Sequence, residues 1–279
     1  MSLALFTLAG DQLVPTSIAR SMWSENQMHG VAVSGALARG VEQQLAQLGR
    51  TELRPARWAV DLFRPATMEP CTVATRVVRE GRRIVLVDAD LRQGDAVVAR
   101  ASAVHLLPTE NPEGRVWSSR AASQPPPLEQ VPASDEPRVP FFDSGAGWSQ
   151  DFAEHQNDGR KRTWQTGLPV VAGERPSGFV AVASVADSAS MVLHWGTGGV
   201  QYINTDLTLT LARAPYGVEV GLEATDRVEH DGIAVGTVAV LDRHGPLGHV
   251  TVTALANARR PVDFERVEYD DDGGRRVRD

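Results

Sequence analysis

Ser184-Val-Ala-Asp-Ser-Ala-Ser-Met-Val-Leu-His-Trp195, leading into Gln201-Tyr-Ile-Asn-Thr-Asp-Leu-Thr-Leu-Thr-Leu211, is the stretch on which the fold turns. Its first part holds small and apolar residues in a helix-like segment, and its second reads as extended, with the period-2 alternation of a strand. One acid, Asp187, sits in the helical part. A carboxylate on a helix otherwise made for burial must be hydrated in a cleft, paired, or put to use. The plain alternative is that Asp187 complements the dipole of its helix's first turn.

Outward from this stretch the same order of elements occurs twice. Small and apolar residues at Val31, Gly35, Ala38, Val41, Leu45 and Leu48 predict a helix within Ser24–Gln47, with Gly49 able to end it in a left-handed cap. Ahead of it, Leu5 to Met22 reads as two short strands or a hairpin, broken at Gly10-Asp11 and ending near Trp23. Behind it, strands are predicted at Arg57–Phe63, Cys71–Arg79, Arg83–Gln93 and Ala96–Leu107. After the helical Val180–Trp195 come Val200–Leu211, Gly217–Arg227, Ile233–Asp242 and Leu247–Ala256. Gly81 and Gly94 are 13 residues apart, as are Gly232 and Gly245. The halves therefore superimpose with an offset of about 150, a duplication and not a short-period solenoid.

At 279 residues and 42% hydrophobic, the chain can bury a large core, and its length suggests two domains. We expect an N-terminal domain over 1–108, a Pro-rich linker over 109–147, a C-terminal domain over 148–260, and a charged, frayed or disordered tail over 261–279. Pro125-Pro126-Pro127 and its neighbours bar helix and central strand from the linker. Phe141, Phe142 and Trp148 read as an anchor folding it back. A net charge of −7 and a pI near 5.5 give no reason to expect a nucleic-acid or anionic-membrane partner. Cys71, the single cysteine, excludes an internal disulfide, no Cys/His cluster suggests a metal, and a reducing cytosol is the expected location. The N-terminus lacks the features of a targeting segment, and no apolar run approaches the ~20 residues of a membrane span.

A long helix laid across a curved antiparallel sheet, twice in one chain, resembles the α+β double hotdog fold. Phe63-Arg-Pro65, Gln27-Met-His-Gly30, Ile203-Asn-Thr-Asp-Leu207 and Arg213-Ala-Pro215, in that joint order, resemble the acyl-CoA thioesterase II family over about residues 1–260. The resemblance implies hydrolysis of an acyl thioester without metal, redox group or other cofactor. It implies a water activated by an Asp on the second-domain helix, a Ser/Thr on the next strand and a Gln on the last strand. Asp187 matches the first. The second falls on Asn204, or on Thr205 with a one-residue shift; the third falls on Thr253, or on Val252 with a shift, and no glutamine stands nearby. His29 and Gly30, at the start of the first helix, would contact the oxyanion or the acyl-CoA.

Strand parity gives a conflicting opinion, since Thr205 shares a face with Ile203, Leu207, Leu209 and Leu211, so a helix over that face would meet Thr205 and not Asn204. His29 reads as an orienting or surface residue, His194 as a helix-end residue, and Arg213 and Arg64 as surface arginines at strand ends, with contact to coenzyme A phosphates as the alternative. A rival within the fold, the hotdog dehydratases, places an Asp or Asn a few residues before a His; Asp187 to His194 is a spacing of seven and Asn26 to His29 of three, and neither resembles that arrangement closely. Two other functions stay open: a non-catalytic acyl-CoA- or lipid-binding double hotdog with a degraded triad, and a purely structural relative. Edge-to-edge pairing of sheets leads us to expect a homo-oligomer.

Overall fold

A computed structural model of the chain describes residues 3–117, 123–269 and 275–277. In chain order the elements are β1 (Phe6–Ala9), β2 (Gln12–Pro15), α1 (Gly30–Gln47), β3 (Arg54–Asp61), β4 (Thr72–Glu80), β5 (Ile84–Gln93), β6 (Ala96–Leu106), β7 (Phe141–Asp143) and β8 (Arg162–Thr166). There follow α2 (Gly178–Val185), α3 (Ala189–His194), β9 (Trp195–Gly196), β10 (Gly199–Val200), β11 (Tyr202–Leu211), β12 (Glu219–His230), β13 (Ile233–Asp242), β14 (Gly245–Ala256), β15 (Val267–Tyr269) and β16 (Arg275–Val277).

Ten strands form one sheet in the order β4-β5-β6-β3-β11-β14-β13-β12-β8-β7. The two halves meet at its centre, where β3 and β11 run antiparallel with Val60 opposite Leu207 and Trp58 opposite Leu209. This is the expected α+β double hotdog, with an independent helix in each half and one continuous sheet.

The helices pack on each other as well as on the sheet, because small residues let their backbones approach. A side chain at Gly35 would press on Ser184 Oγ. Ser34 Oγ donates to Ala183 O at 2.6 Å, Ser184 Oγ donates to Val31 O at 2.8 Å, and Trp58 Nε1 donates to Ser34 Oγ at 2.9 Å. Each of these buried polar atoms is thereby satisfied, as burial requires.

The second helical stretch differs from the single helix expected over Val180–Trp195. It runs as α2, then a 3-10 turn at Ala186–Ser188, then α3. The tighter turn falls on Asp187.

Two further differences concern the segments outside the halves. The Pro-rich segment is pinned: Val131 is fully buried against Trp164 and Leu241, and Arg243 donates to Pro126 O, Val131 O and Glu219 while lying over the Trp164 ring. Phe142 is likewise buried, against Phe152 and Trp195. Beyond residue 260, Val262 and Phe264 join that aromatic cluster and β15 pairs with β16. The charged tail therefore carries ordered structure, because two apolar residues within it have a cluster to enter; 270–274 and 278–279 lie outside the described residues.

Candidate active site

Asp187 lies at the start of α1, a helix of the other half. A side chain at Gly30 would collide with its carboxyl group, so the carboxylate rests directly against the Gly30 α-carbon. Asn204 Nδ2 donates to Asp187 Oδ1 at 2.8 Å, and the Val31 N–H donates to the same carboxylate. Burial pushes the Asp187 pKa up to about 6, although both hydrogen bonds favour the charged form and pull it down. Asp187, Gly30, Val31 and Asn204 are all only half-buried, so the group keeps an opening to solvent. Asp187 does stand in the first turn of the 3-10 segment ahead of α3, but its carboxylate also meets the N-terminus of α1, so its own helix dipole does not alone account for its contacts.

Asn204 reaches this place through a β-bulge. In the pairing of β11 with β14 the register shifts between Asn204 and Asp206, so Thr205 has no partner. The extra residue reverses the alternation. Below it Leu207 and Leu209 face the core, while above it Tyr202 and Asn204 do. Thr205, which uninterrupted parity would send inward, is exposed, and its hydroxyl donates to Asp206 and Thr253 O. Thr253 also fails to reach Asp187: it alternates with the buried Val252 and Ala254, and so points to the outer face.

His29 is the N-cap of α1. Its Nδ1 accepts from the Ala32 N–H at 3.0 Å and its Nε2 lies 2.9 Å from Ile18 O, a pattern that fixes the neutral ring with the proton on Nε2. Burial lowers its pKa, consistent with that form. Both nitrogens are occupied, so the His29 side chain orients the helix start and leaves no atom for a ligand. Arg213 is similarly engaged: it forms a paired salt bridge with the fully buried Asp242 and bonds to Gly245 O. The buried Cys71 thiol, pushed up to about 12 by burial, is held inert.

Three features escaped the sequence reading. The Val31 amide carries no side-chain signal. The bulge at Thr205 breaks a regular alternation without glycine or proline to mark it. Thirdly, a cleft of about 710 Å³ opens where α3 ends, lined by His194, Trp195, Tyr202 and Arg227 among others. Tyr202, which lines it, stands two residues before Asn204 on the inner face of β11.

Among the described residues no group of three or more His, Cys, Asp or Glu is placed to hold a metal, and no helix is long and apolar enough to cross a membrane. Chemically, the site offers a carboxylate poised to gain a proton near neutrality, an amide beside it, and the backbone donors of a helix start.

Two family models match the chain: acyl-CoA thioesterase N-terminal domain over residues 19–106, and acyl-CoA thioesterase C-terminal domain over residues 112–256. Among solved structures, the tesB protein of Mycobacterium avium subsp. paratuberculosis is similar at 15% identity and a TM-score of 0.61, covering 90% of this chain and 95% of that one. A conserved protein of unknown function with hot dog fold from Alicyclobacillus acidocaldarius gives 17% identity and a TM-score of 0.61, over 90% and 95%. An acyl-CoA thioesterase II from Mycobacterium marinum gives 12% and 0.51, over 90% and 94%. No curated protein sequence matches. At such identities the solved structures speak for the fold.

Proposed function

The chain belongs to the acyl-CoA thioesterase family, and from that footing we propose that it hydrolyses acyl thioesters, acyl-CoA among them, with a water activated by Asp187. The observation that carries this reading is the Asp187 carboxylate, half-buried at the start of α1 with Asn204 bonded to it and its pKa raised to about 6. A general base works best when its pKa lies near the working pH.

In this mechanism the water oxygen attacks the thioester carbonyl carbon while Asp187 takes a water proton. The developing oxyanion is met by the backbone N–H of Gly30 at the positive end of α1. Collapse of the tetrahedral intermediate breaks the C–S bond. Asp187 returns its proton to the departing sulfur, releasing thiol and carboxylic acid and restoring the carboxylate. Asn204 holds one carboxylate oxygen so that the other faces the water. Thr205 and Thr253 have no part in it.

A second reading, a binder of acyl-CoA or lipid that does not hydrolyse, is favoured by one observation. The inward positions of β14 beside Asn204 are Val252 and Ala254, so that strand brings no polar side chain to the water. Thiol release from a panel of acyl-CoA esters of increasing chain length separates the two. Steady release from at least one supports hydrolysis; thermal stabilisation by acyl-CoA without release supports the binder.

We also propose self-association in a reducing cytosol. Among the described residues β4 has a strand neighbour on one side only, and long open edges favour pairing; sedimentation of the purified protein checks it.

A further inference from the structure

Val31 is held at both of its polar ends by one helical stretch of the other half. Its N–H donates to the Asp187 carboxylate, and its carbonyl accepts from Ser184 Oγ at 2.8 Å. Ser184 and Asp187 stand three residues apart, about one turn, so both side chains leave their stretch on the same side. Ser184 is fully buried in the last turn of α2, and Asp187 is half-buried in the 3-10 turn that follows.

The Ser184 bond does more than satisfy a buried carbonyl. Val31 belongs to the first turn of α1, so its carbonyl already takes the N–H of Gly35 within that helix. Ser184 fills the second lone pair. A serine inside a helix often bonds back to the carbonyl four residues before it. Here the hydroxyl crosses to the neighbouring helix, and Gly35 leaves the space for it: a side chain at that position would stand 2.9 Å from Ser184 Oγ.

The duplication supplies a comparison. Ser34 stands 150 residues before Ser184 and donates across the same helix pair, to Ala183 O at 2.6 Å, while accepting from Trp58 Nε1. Three residues beyond Ser34 comes the buried Leu37, where the second half has Asp187. Both serines bind the helices together, and only Ser184 shares its partner residue with the site carboxylate.

Two points of attachment fix the rotation of a peptide segment as well as its distance. With its carbonyl held, the Val31 N–H keeps its aim at Asp187, and the Gly30 N–H keeps its place beside it. We propose that Ser184 is a positioning residue, which holds the first turn of α1 in register with Asp187 through the Val31 carbonyl. Its effect on turnover rests on the acyl-thioester reading of the site; the grip on α1 does not.

The test follows the Asp187 carboxyl itself. Burial, Asn204 and the Val31 amide set how that group titrates, and His29, the titratable side chain at the same helix start, is neutral with both nitrogens engaged. Carbon-13 NMR of protein labelled at its aspartate carboxyls records the titration, with the Asp187 signal identified by its loss in Asp187→Asn. Wild-type Asp187 should titrate at about 6. Ser184→Ala should raise that midpoint by about 0.5 to 1, as weakening of one hydrogen bond to the charged form requires. It should also lower kcat about tenfold at pH 7 while KM stays within about twofold. The variant leaves Val31 O its helix partner and leaves no buried group unpaired, so folding is preserved. Ser34→Ala removes a bond of the same kind from the same helix pair, and should lower the melting temperature while the Asp187 midpoint stays where wild type has it. An unmoved midpoint in Ser184→Ala, or an equal rise in Ser34→Ala, overturns the proposal and leaves the serine a packing role alone. Absence of turnover in wild type, with the midpoint rising as expected in Ser184→Ala, would defeat the hydrolytic reading and uphold the grip.

Discussion

The carboxylate of Asp187 lies so close to the α-carbon of Gly30 that any side chain at that position would occupy the same space. The two residues belong to different halves of the chain, so the site exists only where the duplicated units meet. Gly30→Ala should therefore act on chemistry more than on folding. Alanine is the better helix former by about 1 kcal/mol, but its methyl group must displace Asp187 from Asn204 and from the Val31 amide. We expect thioester hydrolysis to fall by about a hundredfold or more, since misplacement of about 1 Å costs that much. Thiol release measured beside a circular-dichroism melt checks both halves of the statement.

Asn204→Ala removes a bond that stabilises the charged carboxylate. The pKa of Asp187 should rise above its value of about 6, and the acid limb of the activity profile should move to higher pH with it. A profile of kcat/KM between pH 5 and 9 for both proteins measures the displacement and its sign.

Thr205→Ala and Thr253→Ala make a matched control. Both side chains lie on the outer side of the sheet, one at the bulge and one among exposed neighbours. Each variant should keep activity within about twofold, in line with surface substitutions generally. A large loss of kcat in either, with unchanged melting, would return the strand threonines to the site.

Asp187 also costs stability. Its folded pKa, about 6, lies above its ordinary 3.8, so the carboxylate destabilises the fold once ionised: nothing is lost below pH 4, and the penalty grows until pH passes 6. Full burial would set it near 3 kcal/mol, and partial exposure reduces that. Asp187→Asn should thus be about 1–2 kcal/mol more stable than wild type at pH 7.5 and equal to it at pH 4, as urea unfolding at the two values would show.

Much of this was legible in the residues. The repeated turns at Gly81, Gly94, Gly232 and Gly245 disclosed the duplication, and the order of strands followed, because turn chemistry and alternation are local. The position of Asp187 could be singled out because its neighbours are small and apolar. What decided its partner was not local: a single extra residue at Thr205 reverses which face of β11 meets the helix, and simple alternation points to the wrong side chain. β7 and β8 are three and five residues long, too short for alternation to declare them, and β7 lies at the end of the Pro-rich segment. His194 carried the signature of a helix end, and only the approach of Arg227 from β12 puts its ring proton on Nε2, which has no partner among the described residues.

The most direct measurement is the pH dependence of thiol release from acyl-CoA by wild-type protein and by Asp187→Asn. For Asp187 as the general base, kcat/KM should rise about tenfold per pH unit below about 6 and level off above it, and Asp187→Asn should lose about a thousandfold at pH 7.5. A wild-type profile flat from pH 4.5 to 8, or an Asp187→Asn protein within a few-fold of wild type, would contradict it.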